Sequence, residues 1–247
     1  MRVPVDTIVA PLFPTGLPWA NVVGREASII QRGKPLLIEF WDFCRPNSVR
    51  TLPYLQAWHE RYAQDGLRTV GVHSPGFAPA RDEDAVRAAV RRLGIEYPVL
   101  IDRELELWRD YENQGWPARY LFDGRGSLFD YHYGEGGYRE TELAIQELLG
   151  IEREPLPALR AEDDPVARLV AQTEDQPGAY SGPYEAGAVW VVLQGSGVVR
   201  ANGTELLVSQ PGAYALIEHE RHTAGVLELE IGSGVECLAT CFTPGVV

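Results

Sequence analysis

Apolar and polar positions along the first 150 residues alternate between short buried-strand runs and helical spacings. Leu36-Leu37-Ile38-Glu39-Phe40-Trp41 is a six-residue, largely apolar run that suits a strand buried on both faces. From Ser48 to Gln64 apolar residues recur at helical spacing (Val49, Leu52, Leu55, Trp58, Tyr62), and Asp65-Gly66 closes the helix. Thr69–His73 reads as a second strand, stopped by Pro75-Gly76. Asp82–Leu93 reads as a helix with Asp82, Glu83 and Asp84 at its positive end and Arg91 and Arg92 in its last turn. Tyr97–Ile101 is a further strand and Leu105–Tyr111 a short helix. Arg119–Phe122 and Ser127–Tyr133 flank the turn Asp123-Gly124-Arg125-Gly126 as a hairpin, and Glu140–Leu149 closes as a helix. This order predicts a mixed α/β sheet with helices on both faces.

The pattern changes after residue 150. Residues 151–165 are rich in proline and acid with little periodicity, which reads as a linker. Residues 166–247 then carry strands and turns only: Ala188–Leu193, Gly197–Ala201, Glu205–Ser209, Ala213–Ile217, Val226–Ile231 and Val235–Phe242, punctuated by Gly-Ser-Gly, Asn-Gly and Pro-Gly. That spacing predicts an all-β sandwich, jelly-roll-like in kind.

Composition and charge narrow the function. A 45% hydrophobic, 23% charged chain of 247 residues is globular in character. The longest apolar run is far below the roughly 18 residues that span a bilayer. Met1-Arg2-Val3-Pro4-Val5-Asp6 lacks the apolar region of a secretion signal, so the expected address is cytoplasmic. A net charge of −13 repels phosphate backbones and anionic lipid, which excludes nucleic acid and membrane as expected partners.

Of the three cysteines, Cys44, Cys237 and Cys241, no two are spaced Cys-x-x-Cys. Cys237 and Cys241 are expected on one face of a strand, about 13 Å apart at roughly 3.3 Å per residue and too far apart to bridge. His219 and His222, beside Glu218 and Glu220, invite a metal reading, but they read as loop residues without a third histidine, so no metal or cofactor is expected. Trp190, Tyr180 and Tyr184 are candidates to stack on a sugar ring, although Trp190 in its apolar run reads as core.

The segment Glu39-Phe40-Trp41-Asp42-Phe43-Cys44-Arg45-Pro46-Asn47-Ser48-Val49-Arg50-Thr51-Leu52-Pro53 resembles the active-site strand, loop and helix of TlpA/DipZ-type thioredoxin-like proteins. The likeness continues through Gly71-Val72-His73-Ser74-Pro75, Tyr97–Asp102, Trp116-Pro117-Ala118 and His132-Tyr133-Gly134-Glu135-Gly136. Phe13–Asn21 is similar to the lead-in of NHL-repeat thioredoxin-like proteins. The β-rich tail is similar to the carbohydrate-binding-module-like domain of DipZ proteins. The resemblance implies a thioredoxin-like domain over 1–150 followed by the β-sandwich.

Anchored on Arg50-Thr51-Leu52-Pro53, the resemblance puts Arg45 and Ser48 at the two redox-cysteine positions, with Cys44 one residue early. It also implies a buried proton-relaying acid at Glu39, a cis-proline at Pro117 with Trp116 beside it, and a helix start at Asn47. Arginine and serine cannot attack a disulfide. Two readings follow. In the first, the domain binds an unknown peptide, protein or small-molecule ligand through Arg45, Asn47, His73, Trp116 and Pro117. In the second, Cys44 is the single thiol of an oxidoreductase or peroxidase, helped by Arg45 and the helix end and opposed by Asp42. Leu37 and Trp41 occupy the proline and threonine positions of the peroxidatic pattern Pro-x-x-x-Thr-x-x-Cys, which disfavours the second reading.

Overall fold

The computed structural model describes residues 8–22, 30–31 and 33–247. The N-terminal hexapeptide that carried the address expectation lies outside them. Contacts divide the chain into two units. The first runs to Asp42 and resumes over Asn47–Pro157; the second is Ala158–Val247 together with Phe43–Pro46. The division falls inside the stretch read as a linker.

In the first unit a six-stranded sheet has the order β1 (Trp19–Ala20), β4 (Val99–Ile101), β3 (Arg68–His73), β2 (Leu36–Trp41), β5 (Ala118–Phe122), β6 (Leu128–Tyr133). β2, β3 and β4 are parallel, while β1, β5 and β6 join antiparallel. Every residue of β2 is buried, as a strand covered on both faces requires. Leu36, Ile38 and Phe40 point into one core with Val70, Val72, Leu100 and Tyr120. On that face lies the short helix α3 (Glu106–Asp110), whose Leu107 and Trp108 pack against the cluster. The opposite face carries Leu37, Glu39 and Trp41. There α1 (Pro46–Tyr62) brings Trp58, and α4 (Tyr138–Leu149) brings Tyr138, against Arg119 of β5.

Local chemistry sets the helix ends. Pro46 opens α1 where a missing N–H costs nothing. The Asp82 carboxylate accepts the Ala85 N–H at 2.8 Å and caps α2 (Glu83–Arg92). Gly150 ends α4 in the left-handed region at φ 66°. Tyr97 and Pro98 stay outside the strand that the sequence suggested there. No described helix is long and apolar enough to cross a membrane.

The second unit is all β. β12 (Gly212–Leu227), β9 (Gly182–Gly195), β14 (Val235–Thr243) and β8 (Gln176–Pro177) form one sheet. β11 (Thr204–Val208), β10 (Gly197–Ala201) and β13 (Leu229–Ile231) form another, and β7 (Leu169–Val170) pairs with β15 (Gly245–Val246). Val191 and Leu193 from the first sheet pack with Val199 and Val208 from the second, with Ile231 and Cys237 alongside.

Three expectations are corrected here. His219 and His222 are strand residues, because β12 continues from Gly212 to Leu227, with register shifts against β9 at Ala215/Ile217 and Glu218/Thr223. The run read as one strand from Val226 to Ile231 is broken at Glu228, where Asn202 Oδ1 accepts the Glu228 N–H at 2.8 Å. Cys237 and Cys241 do not share a face. They pair with Leu193 and Trp190, three residues apart on β9, since a bulge between Cys237 and Ala239 inverts the alternation.

Candidate functional site

The C-terminal ends of β2 and β3 bring one polar group together. Beyond Trp41 the chain leaves the sheet at Asp42, whose backbone N–H donates to Ser48 Oγ at 3.2 Å. Ser48, in the first turn of α1, is fully buried and oriented inward. The Asp42 carboxylate turns the other way, with Oδ2 accepting the Gly76 N–H at 2.7 Å. Its Oδ1 lies 3.7 Å from His73 Nε2, and the His73 ring stands edge-on to Trp41 at 5.1 Å. Both Asp42 and His73 are without exposed surface.

Ser74 continues the chain of contacts. Its carbonyl accepts the Trp116 indole N–H at 2.8 Å, and its hydroxyl donates to Asp102 Oδ2 at 3.1 Å. Asp102 also accepts the backbone N–H groups of Glu106, Leu107 and Trp108, which fixes the first turn of α3. Trp108 and Trp116 then lie 4.1 Å apart with their planes tilted by 32°. The Trp116–Pro117 peptide bond is cis, and the Pro117 carbonyl accepts the Gly134 N–H at 2.8 Å.

Glu39 sits two residues before Trp41 on the same sheet face, paired across the strands with Arg119. Neither carboxyl oxygen accepts a hydrogen bond from a described residue. Complete burial pushes its pKa up to about 8, with the nearby Arg119 charge pulling in the opposite direction. Burial lowers the Arg119 pKa, while Glu39 supports its charge. The guanidinium donates to the Gly136 carbonyl and lies 4.8 Å over Tyr138 and 5.7 Å over Trp58.

Of the residues singled out from sequence, Ser48 and His73 both meet Asp42, and Trp116 joins them through Ser74. Glu39 stands apart from this group with Arg119. Asn47 is exposed, and its carbonyl accepts the Thr51 hydroxyl at 2.9 Å. Pro117 is buried and Trp116 half-buried. Cys44 and half-buried Arg45 belong to the second unit. There the Phe43 carbonyl accepts the Ala213 N–H at 2.8 Å, and Cys44 has no exposed surface. None of the three cysteines is in a disulfide. Among the described residues no group of three or more His, Cys, Asp or Glu is placed to hold a metal ion.

The sequence reading undervalued three organising residues. Asp42 entered only as a charge opposing a thiolate. Asp102 entered only as the end of a family-like stretch, and Arg119 only as part of a strand. The available signal was an acid or a base within or directly after an apolar, buried strand, where an ionisable group needs a partner.

No protein-family model matches the chain. It is 35% identical over 133 residues to protein DipZ of Mycobacterium tuberculosis, a match covering 53% of this chain and 19% of DipZ. The thiol–disulfide oxidoreductase YkuV of Bacillus subtilis is 30% identical over 132 residues, covering 53% of this chain and 87% of YkuV. The chain belongs to the thioredoxin-like thiol–disulfide oxidoreductase family. A solved thiol–disulfide isomerase of Corynebacterium glutamicum, 24% identical, shares this thioredoxin-like fold at a TM-score of 0.51, over 60% of this chain and all of its own. The solved neighbour supports the α/β thioredoxin-like fold over 60% of the chain, the second unit adds antiparallel β sheets, and the chain spans only about a fifth of DipZ.

Proposed function

We propose that this thioredoxin-like chain binds a peptide or another ligand instead of exchanging disulfides. One observation carries the reading. Ser48, which the resemblance puts at the second redox position, is buried and spends its hydroxyl oxygen as acceptor for the Asp42 N–H. Nucleophilic sulfur is absent from that turn of α1, and serine neither attacks a disulfide nor holds a mixed one. Cys44, four residues earlier in the chain, has no surface from which to meet a substrate. Its burial speaks against the single-thiol reading as well.

What the family's site keeps is support without thiols. Asp42, His73, Ser74 and Trp116 form a connected polar frame, and Trp116 and Asn47 retain surface for a partner. His73 and Pro117 act on a ligand only through that frame, since both are buried.

Insulin reduction tests this reading, with the natural chain measured beside Cys44→Ser and the double variant Arg45→Cys/Ser48→Cys. The expected result is no turnover by the natural chain and measurable turnover by the double variant. Turnover by the natural chain that Cys44→Ser abolishes would overturn it.

A further inference from the structure

A groove of about 580 Å³ opens at the margin of the first unit, and strand register builds its floor. Tyr131 stands opposite Tyr120, and Tyr133 opposite Ala118, so both tyrosines of β6 project to the face that carries Tyr120. Leu121 pairs with Asp130 and Phe122 with Leu128, so a bulge at Phe129 turns Leu128 to that face as well. Tyr111, just past α3, forms the far wall.

The rings meet at steep angles. Tyr111 and Tyr120 are 5.6 Å apart at 69°, Tyr120 and Tyr133 are 6.0 Å apart at 86°, and Tyr131 and Tyr133 are 5.5 Å apart at 62°. Hydrogen bonds hold three of them in place: Tyr111 donates to the Pro11 carbonyl at 3.3 Å, Tyr120 donates to Asn113 Oδ1 at 3.0 Å, and the Tyr120 and Tyr133 hydroxyls pair at 3.2 Å. Opposite the small side chain of Ala118, Tyr133 keeps 45% of its surface open. Asp110 and Glu112 lie on the rim, and no Lys, Arg or His is among the described lining residues.

Aromatic faces carry negative potential, and the two carboxylates and the chain's net charge of −13 add to it. The volume lies within the range of small-ligand sites. We propose that this tyrosine groove binds a small organic cation of the alkylammonium class. Its charged head rests on tyrosine ring faces, with Asp110 and Glu112 balancing the charge. A neutral ligand of the same shape gains the burial but not the electrostatic attraction. The inference uses none of the redox-position residues and does not depend on the function proposed above.

Calorimetric titration with choline and with its neutral carbon isostere, 3,3-dimethylbutan-1-ol, tests it on the full chain. Choline is expected to bind saturably with a Kd on the order of 1 mM, and the isostere at least about tenfold more weakly. Tyr133→Leu is expected to weaken choline about tenfold, and Glu112→Gln to weaken it by a smaller factor that shrinks in high salt. No saturable choline signal up to about 50 mM, equal binding of the isostere, or unchanged affinity in a folded Tyr133→Leu each overturns the proposal. If Tyr133→Leu does not fold, the comparison of choline with its isostere on the natural chain decides.

Discussion

Glu39 and Arg119 face each other across β2 and β5 without closing a hydrogen bond. The carboxyl group is fully buried, and the guanidinium donates to the Gly136 carbonyl and turns its faces to two aromatic rings. A buried acid so placed is more easily kept neutral than charged.

A pH dependence follows. The folded pKa of Glu39 is about 8, above its ordinary 4.5, so the folded chain holds a proton that the unfolded chain has released. Stability from this group is therefore complete below about pH 4.5 and is lost as pH rises toward 8. Glu39→Gln removes the titration. Relative to the natural chain, the variant is expected to gain stability between pH 5 and pH 9, by about 5 kcal/mol at most. Urea unfolding at both values checks this, and a pH-independent difference would count against it.

Ser48→Ala is expected to lower stability by about 1 kcal/mol, since it removes a buried hydrogen bond while keeping the helix intact. Ser48→Cys, close in size, is expected to fold normally. Thermal unfolding of both separates the two effects, and a more stable Ser48→Ala would show that the Asp42–Ser48 bond contributes nothing.

Much of this architecture could be read from the chain because its signals are local. The run from Leu36 to Trp41 and the strand Gly197–Ala201 have the bounds their apolar pattern gave, and Asp82, read as a helix residue at the positive end, stands there as the cap. Missed features depend on pairing across strands. Nothing near Cys237 announces that a bulge turns Cys241 to the other face, and nothing near His219 shows that a long strand carries it. The polar frame was partly visible. His73 and Trp116 stood out as single residues, but Asp42 and Asp102, which join them, were hidden as ordinary acids at strand ends.

Thiol accessibility gives a third prediction. Cys44 and Cys241 are buried, Cys237 keeps partial exposure, and burial raises the pKa of both Cys237 and Cys241. A short pulse of a thiol-alkylating reagent at neutral pH is expected to modify Cys237 first, slowly, and to leave Cys44 untouched until denaturant is added. Peptide mass mapping reads the order. Rapid labelling of Cys44 in the folded chain would contradict its burial and return the single-thiol reading to consideration.

Asp102 offers the sharpest test of how the polar frame is held. Its carboxylate satisfies three backbone N–H groups of the first turn of α3 and the Ser74 hydroxyl, and no water-exposed surface remains to replace them. Asp102→Ala therefore leaves that turn without its acceptor and is expected to cost about 2–4 kcal/mol. The loss is also expected to be local in character, because α3 holds Trp108 against Trp116 at 4.1 Å. Near-ultraviolet circular dichroism from the tryptophan pair should fall, while far-ultraviolet signal from the sheet and the longer helices stays near its natural value. Asp102→Asn, which keeps one acceptor oxygen, should lie between the natural chain and the alanine variant in both measurements. An alanine variant with unchanged melting temperature and unchanged near-ultraviolet spectrum would mean that α3 and Trp108 are held by packing alone, with Asp102 incidental.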